Sequence, residues 1–343
     1  MAMPASEVEP SMPSEQSSIL AETIATIGAV LGPELDTILV ERAVVGLFFT
    51  GVKLSNGSAG GCATPLKSIP EAVCCPSSAR AMPFPGKLAG RRAADLAGEA
   101  LSGTGIRRAV GIAVVNALAD YCWRRRPHPD VELCPGIDAL DATEIRNGDR
   151  IVVVGAFVPF LKELKRRGHP YLVLEQDPAT LKADELPFFR PAEQAPGILP
   201  QADVALITGS TLVNGTLENL LALVRPEARV TVVGPTVGML PDAFLARGAD
   251  ILGCVEITAP DAFLDLLAEG GSGYHFFGRS AQKLVLARRA LGSTACGANL
   301  KLGTGDPSPA SLRSAPSPAM RERGTQPARA CPGRDPGAGW VRA

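Results

Sequence analysis

Aromatic residues are scarce in this chain, at 5% of 343 residues, so a stacking platform for single-stranded nucleic acid is not expected. Neither sign of charge dominates: 34 basic residues face 35 acidic ones, for a net charge of -1, which removes the electrostatic case for a nucleic-acid partner or an acidic solvating tail. No apolar run approaches the roughly 18 residues that cross a bilayer. The first residues, MAMPASEVEPSMPSEQSS, lack the basic start and apolar centre of a secretory signal, so a cytoplasmic protein without a membrane partner is expected. Three signatures are missing as well. There is no G-x-G-x-x-G, no G-x-S-x-G and no C-x-x-C, so the usual dinucleotide fingerprint, nucleophile elbow and thiolate metal pair are absent.

What is present divides the chain. Residues 1–17 are Pro, Ser and Glu with little apolar content and read as disordered. Residues 18–130 read as an α+β domain. A helix is expected over Ser18–Leu31, a long strand over Leu39–Leu54, an Asn56–Gly57 hairpin and a return strand over Ser58–Thr64. Helices at Arg91–Leu101 and Ile106–Trp123 follow; the second is apolar enough to lie between layers. Residues 131–147 have linker composition. Over 148–291 short Val/Ile/Leu runs alternate with helical patterns, the mark of a doubly wound, mostly parallel α/β sheet covered on both faces. Tyr274–Phe277 is expected as its last strand and Ser280–Arg289 as its last helix. From residue 292 to 343 Pro, Arg, Gly, Ala and Ser without periodicity read as a disordered tail.

Ligands of open α/β sheets sit where strands end. Gly155 follows the first strand and allows a tight turn, and Pro159 suits a helix start whose free amides can take an anion. Glu175 ends the second strand, 20 residues after Gly155, where an acid can hold a ribose or simply face solvent. Thr208, Gly209, Ser210, Thr211 and Asn214 make a small, hydroxyl-rich loop that can cradle a polar ligand, cap the next helix, or both. Gly234, Pro235 and Thr236 bring a third loop to the same edge.

The stretches VVVGAFVPF, LEQDP, ITGSTLVNGT and VVGPTVGMLP, with GIAVVNA at 111–117, resemble the putative heavy-metal chelation family, over roughly Ile19 to Leu286. That family joins an enolase N-terminal-like domain to a Rossmann-like domain. The resemblance implies a cleft between the two, with Asn116, Glu175, Thr208, Ser210, Asn214 and Pro235 as its residues, and a heavy or transition metal as the group handled. Members can carry a histidine in the loop after the first strand, where this chain has Ala156-Phe157.

Cys62, Cys74 and Cys75 are the candidate metal ligands, since thiolates suit soft metals. Otherwise the 8 cysteines fit no disulfide scaffold and are expected as thiols. His128, His169 and His275 are scattered without ligand spacing. The expected function is a binding protein whose interdomain cleft takes a small polar or anionic molecule or a metal complex. The alternative is an enzyme using S-adenosylmethionine or a dinucleotide with Glu175 on the ribose. A homo-oligomer stays open.

Overall fold

In a computed structural model, residues 18–66, 81–126 and 128–289 are described. The expectations for residues 1–17 and 292–343, and those for Cys74 and Cys75, lie outside them.

Ser18 opens the first helix, α1 (Ile19–Leu31), by accepting a hydrogen bond from Ala21 N at 3.2 Å, which satisfies one amide the helix start leaves free. The stretch read as one strand over 39–54 is two: β1 (Val40–Val45) and β2 (Phe49–Leu54) pair antiparallel. The chain turns between them where Gly46 N donates to Phe49 O at 3.0 Å. This short connection lacks the Asn-Gly signal that marks the next one, so it was hidden inside a continuous β-branched run. After Asn56–Gly57, β3 (Ala59–Ala63) pairs antiparallel with β2 and completes a three-stranded sheet. Two short helices, α2 (Ala93–Ala97) and α3 (Glu99–Ser102), lead into the long α4 (Gly105–Arg125). Every residue of α4 from Ala109 to Ala119 is buried, as its all-round apolar character requires.

The second sheet has eight strands: β4 (Val131–Pro135), β5 (Ile151–Val154), β6 (Tyr171–Glu175), β7 (Phe189–Pro191), β8 (Val204–Thr208), β9 (Arg229–Val233), β10 (Ile251–Ile257) and β11 (Ala281–Arg288). Their order is β4-β11-β10-β9-β8-β5-β6-β7. From β10 to β7 all pairings are parallel, whereas β11 is antiparallel to both β10 and β4. The chain winds outward from β5 to β7, returns to β8 and winds the other way, so the doubly wound sheet has its switch point between β5 and β8. The helices accompanying it are α5 (Ala139–Ala142), α6 (Val158–Arg167), α7 (Ala195–Ile198), α8 (Ser210–Val213), α9 (Leu217–Leu223), α10 (Asp242–Leu245), α11 (Pro260–Ala268) and α12 (Gly273–Phe276).

Two expectations change here. The stretch 131–147, read as a linker, contains α5 and the edge strand β4; an edge tolerates the Pro and charge that made it look unstructured. At the end of the sheet, strand and helix are exchanged. Residues Gly273–Phe276 are helical, with Ser272 and His275 side chains capping the start, and Ala281–Arg288 is a strand. The Leu- and Ala-rich strand has helical propensity, but pairing with β10 along seven residues, from Ile251↔Ala287 to Ile257↔Ala281, outweighs it.

One apolar cluster runs through both sheets, from Ile19, Val52 and Cys62 through Ile112 and Val115 to Val154, Ile207 and Val232. The helix α4 lies in its middle, and β3 closes directly on it. A Cβ at Gly60 would stand 2.3 Å from Ala113 O and 2.4 Å from Ala117 N, so only glycine permits this approach. On the same helix Asn116, 3% exposed, fastens the layers together. Its Nδ2 donates to Gly61 O on β3 at 2.7 Å, and to Pro235 O and Thr236 O after β9 at 3.2 and 3.0 Å.

Gly60→Ala is expected to destabilise the protein by about 1–3 kcal/mol, because backbone on both sides must shift to admit the methyl; an unchanged urea midpoint would contradict the packing described. Asn116→Ala is expected to cost about 2–3 kcal/mol by leaving buried carbonyls unpaired. Asn116→Asp, which turns acceptors toward three carbonyl oxygens, should cost more than Ala at neutral pH. Equal midpoints for the two variants would show that the donated bonds carry no stability.

Candidate functional site

Parallel register brings the three predicted loops to one rim. Val154 pairs with Ile207, and Thr208 with Val233, so Gly155, Gly209 and Gly234 leave the sheet at the same edge. At the switch point Gly155 has φ +93°, and a Cβ there would meet Thr208 Cγ2 at 2.5 Å; glycine is needed both for the turn and for the neighbour. The amides of this rim are largely used by the chain itself. Glu175 Oε2 accepts from Ala156 N at 2.8 Å, and its Oε1 accepts from Gln176 N at 2.7 Å and Asp177 N at 3.3 Å. The Glu175 carboxylate thus ties the turn after β5, two residues before α6 begins, to the turn after β6.

The hydroxyl-rich loop is similarly self-bonded. Thr211, 5% exposed, donates its Oγ1 to Thr208 O at 2.6 Å. Thr208 Oγ1 lies 3.1 Å from Ser210 Oγ, and Asn214 Oδ1 accepts from Thr216 N and Thr216 Oγ1 at 3.2 and 2.7 Å. Gly209 N donates to Val233 O at 2.7 Å. In this loop Ser210, Asn214 and Gly215 are exposed. Thr236 is buried and accepts from Ala63 N at 3.1 Å, tying β3 to the loop after β9.

A cavity of about 260 Å³ lies beside that tie, between the three-stranded sheet with α4 and the β10–β11–β4 side of the large sheet. From the sequence-derived residues it takes Asn116 and Pro235; Gly155, Glu175, Thr208, Gly209, Ser210, Thr211, Asn214, Gly234 and Thr236 are outside its lining. Its remaining polar groups are Asp120, Arg124, Cys254 and Glu256, and its apolar walls include Trp123, Phe263 and Leu284. Four of these, Asn116, Asp120, Trp123 and Arg124, follow each other on α4 at helical spacing and form one stripe. That spacing was legible in the sequence; the facing residues from β10 and β11 were not, because no local pattern links them to it.

The polar lining is only partly paired. Arg124 donates through Nη2 to Ser58 Oγ at 2.7 Å and to Asp120 Oδ2. Glu256 Oε2 accepts from Gln282 Nε2 at 2.6 Å. Asn116 Oδ1 is buried and accepts from no group. Burial pushes the Cys254 thiol up to about 12, with the nearby Glu256 charge adding to the shift, so the sulfur is protonated at neutral pH.

A heavy-metal ion does not fit the described residues as its direct ligands. Among them no three His, Cys, Asp or Glu side chains stand together in a way that could hold a metal ion. Cys62 is fully buried in the core, and burial raises its thiol to about 12 against a smaller lowering by Thr236. A metal ligand must be a thiolate, and this site opposes its formation. Cys74 and Cys75 are outside the described residues. Cys122 and Cys254 are free thiols, whereas Cys134 is in a disulfide, contrary to the expectation of thiols throughout. The ring nitrogens of His128 and His275 are engaged with Asp242 Oδ1 at 3.1 Å and Ser272 N at 3.0 Å. Among the described residues no helix is long and apolar enough to cross a membrane.

Comparison with known proteins places this architecture. Two family profiles match the chain, one over residues 29–119 and one over 138–286, and both carry the description putative heavy-metal chelation. An uncharacterized protein of Methanocaldococcus jannaschii is 27% identical over 181 residues, covering 51% of this chain and 64% of that one. The chain thus matches less than two thirds of that relative's length. Two crystal structures of proteins with unknown function, both from the family of the second profile, share the fold. The one from Pyrococcus horikoshii has a TM-score of 0.62 at 20% identity, over 79% of this chain and all of its own, 100%. The one from Desulfitobacterium hafniense has a TM-score of 0.58 at 19% identity, over 78% of this chain and 99% of its own. The chain belongs to the family described as putative heavy-metal chelation.

Proposed function

We propose that this chain is a binding protein for a small polar molecule, held in the cavity between α4 and the β10–β11 side of the large sheet, and that any metal it handles is coordinated by that molecule rather than by protein side chains. The observation that carries this reading is the cavity lining. Apolar walls from Trp123, Phe263, Leu133, Leu284 and Leu286 surround a few convergent polar groups, Asn116, Asp120, Arg124 and Glu256, which is the usual anatomy of a small-ligand site. The protonated, buried thiols of Cys62 and Cys254 count against direct chelation. Glu175 supports this site over a nucleotide site at the rim: its carboxylate is already bonded to three backbone amides and shapes the turns there.

Gly238 supplies the test. Its missing Cβ would lie 3.8 Å from Asn116 Cγ and 3.9 Å from Cys254 Cβ, in ordinary contact, and its φ of -75° suits any residue. A longer side chain at Gly238 therefore projects among cavity-lining groups without backbone strain. Native mass spectrometry of the full chain is expected to show a bound small molecule in the wild type and none in Gly238→Leu, with both proteins folded by circular dichroism. Free zinc(II), nickel(II) and cadmium(II) should leave the melting temperature unchanged. An adduct retained by Gly238→Leu, or a stoichiometric free metal ion removed by Cys62→Ser, would overturn the proposal.

A further inference from the structure

The bonding of the cavity's polar atoms carries the argument to a ligand class, on the premise that this cavity is the binding site. The stripe on α4 and the facing strand β10 offer a short inventory. Arg124 uses Nη2 for Ser58 and Asp120, while its Nε and Nη1 have no partner among the described residues. Those two atoms lie on opposite sides of the group and offer separate charged N–H donors, each able to meet one carboxylate oxygen. The unused acceptors are Asn116 Oδ1, Asp120 Oδ1 and Glu256 Oε1. Asn116 Oδ1 is the most demanding of them, because it is buried without a donor and a lone acceptor in that position costs free energy. The lining's formal charges are two carboxylates and one guanidinium, so a purely anionic guest meets net repulsion.

Three acceptors and the remaining N–H donors of one guanidinium define a complementary guest. An ammonium group has three N–H donors and no acceptor, and a carboxylate has acceptors only. We infer that the cavity binds an aminocarboxylate, a small molecule carrying a protonated amine and a carboxylate, with the carboxylate on Arg124 and the amine on the acceptor set of Asn116, Asp120 and Glu256. The Trp123 ring in the same lining suits the cationic end, since an aromatic face attracts a cation. No covalent step is involved. The binding changes only hydrogen-bond partners: Asn116 Oδ1 gains a donor, and the unused N–H groups of Arg124 gain an acceptor of opposite charge.

Of the assigned side chains, Arg124 and Glu256 are not central to folding. Arg124 is 54% exposed along its side chain and Glu256 is half-buried on a strand end, so Glu256→Gln keeps its shape and loses its charge, and Arg124→Gln loses its charge and its reach to Ser58 and Asp120 without opening the core. The test is isothermal titration of the full chain with the common L-amino acids and iminodiacetate, each compared with its decarboxylated amine and its deaminated acid. At least one aminocarboxylate should bind, and its two one-ended relatives should bind about tenfold or more weakly, the loss expected when one charge-assisted pair is removed. Arg124→Gln should erase the preference over the amine, and Glu256→Gln the preference over the acid. Suppose a copurifying molecule sensitive to Gly238→Leu proves to lack either group, or binding ignores both charge variants. The class is then wrong while the cavity reading survives. If no probe binds and no Gly238-sensitive molecule copurifies, both fail together.

Discussion

A single buried amide holds the two sheets in register. Asn116 Nδ2 reaches Gly61 O on β3 and the Pro235 and Thr236 carbonyls after β9, so one side chain from α4 spans the interface between the layers. The reach is possible because β3 lies against the backbone of α4 at Gly60, with no side chain intervening. Thr236 reinforces the contact by accepting from Ala63 N. These are buried polar bonds, and their value lies as much in position as in free energy: carbonyls left without the amide would be costly, so alternative packings of β3 on the loop after β9 are disfavoured. The cavity takes its walls from both sides of this fastening. Its shape therefore depends on bonds that three of its own lining residues, Asn116, Gly61 and Pro235, make with one another.

Much of the fold was legible because the large sheet is buried on both faces. Runs such as Ile151–Val154 and Val204–Thr208 announce themselves without any knowledge of their neighbours. Trouble arose where pairing, not local preference, decides the conformation. Ala281–Arg288 contains Ala, Leu, Lys and Arg, which favour helices, yet it inserts between β10 and β4 and satisfies its backbone with two neighbours. The edge strand β4 exists because β11 is beside it; without that partner its Pro and Glu content reads correctly as a linker. Likewise β1 and β2 form one β-branched run in the sequence, and only the antiparallel register separates them.

The site was legible in a different way. The expected convergence of Gly155, Gly209 and Gly234 on one rim follows from parallel strands and holds. What the residue types at that rim do could not be read from their identity. Hydroxyls and short amides two or three residues apart satisfy each other, as Thr208, Thr211, Asn214 and Thr216 do. Glu175 does the same with three nearby amides. Residues that look like ligand groups are thereby consumed in shaping the turns that present the rim. The cavity's polar groups had the opposite character: Asp120, Arg124 and Glu256 look like ordinary surface charges, and only folding places them around one space.

The family's description and the chemistry of this chain meet on one question, which is where a metal's ligands come from. A thiolate costs too much at Cys62 and Cys254, whose burial holds the proton on sulfur. Surface carboxylates are plentiful, but most are already spent on arginine or lysine, as Glu163 is on Arg166 and Arg167, and Asp203 on Arg150 and Arg225. A metal ion loses strongly held water on entering a protein site and requires several matched donors in return. The cavity lining has two carboxylates, and one of them, Asp120, is already paired with Arg124. The guest we propose, a neutral or zwitterionic organic molecule, asks less of it, because its hydrogen bonds to water are exchanged for hydrogen bonds to the lining. Selectivity for a metal-handling role would then come from recognising the organic chelator's shape and charge, a task for which apolar walls and a few fixed polar groups are better suited than a ligand cage.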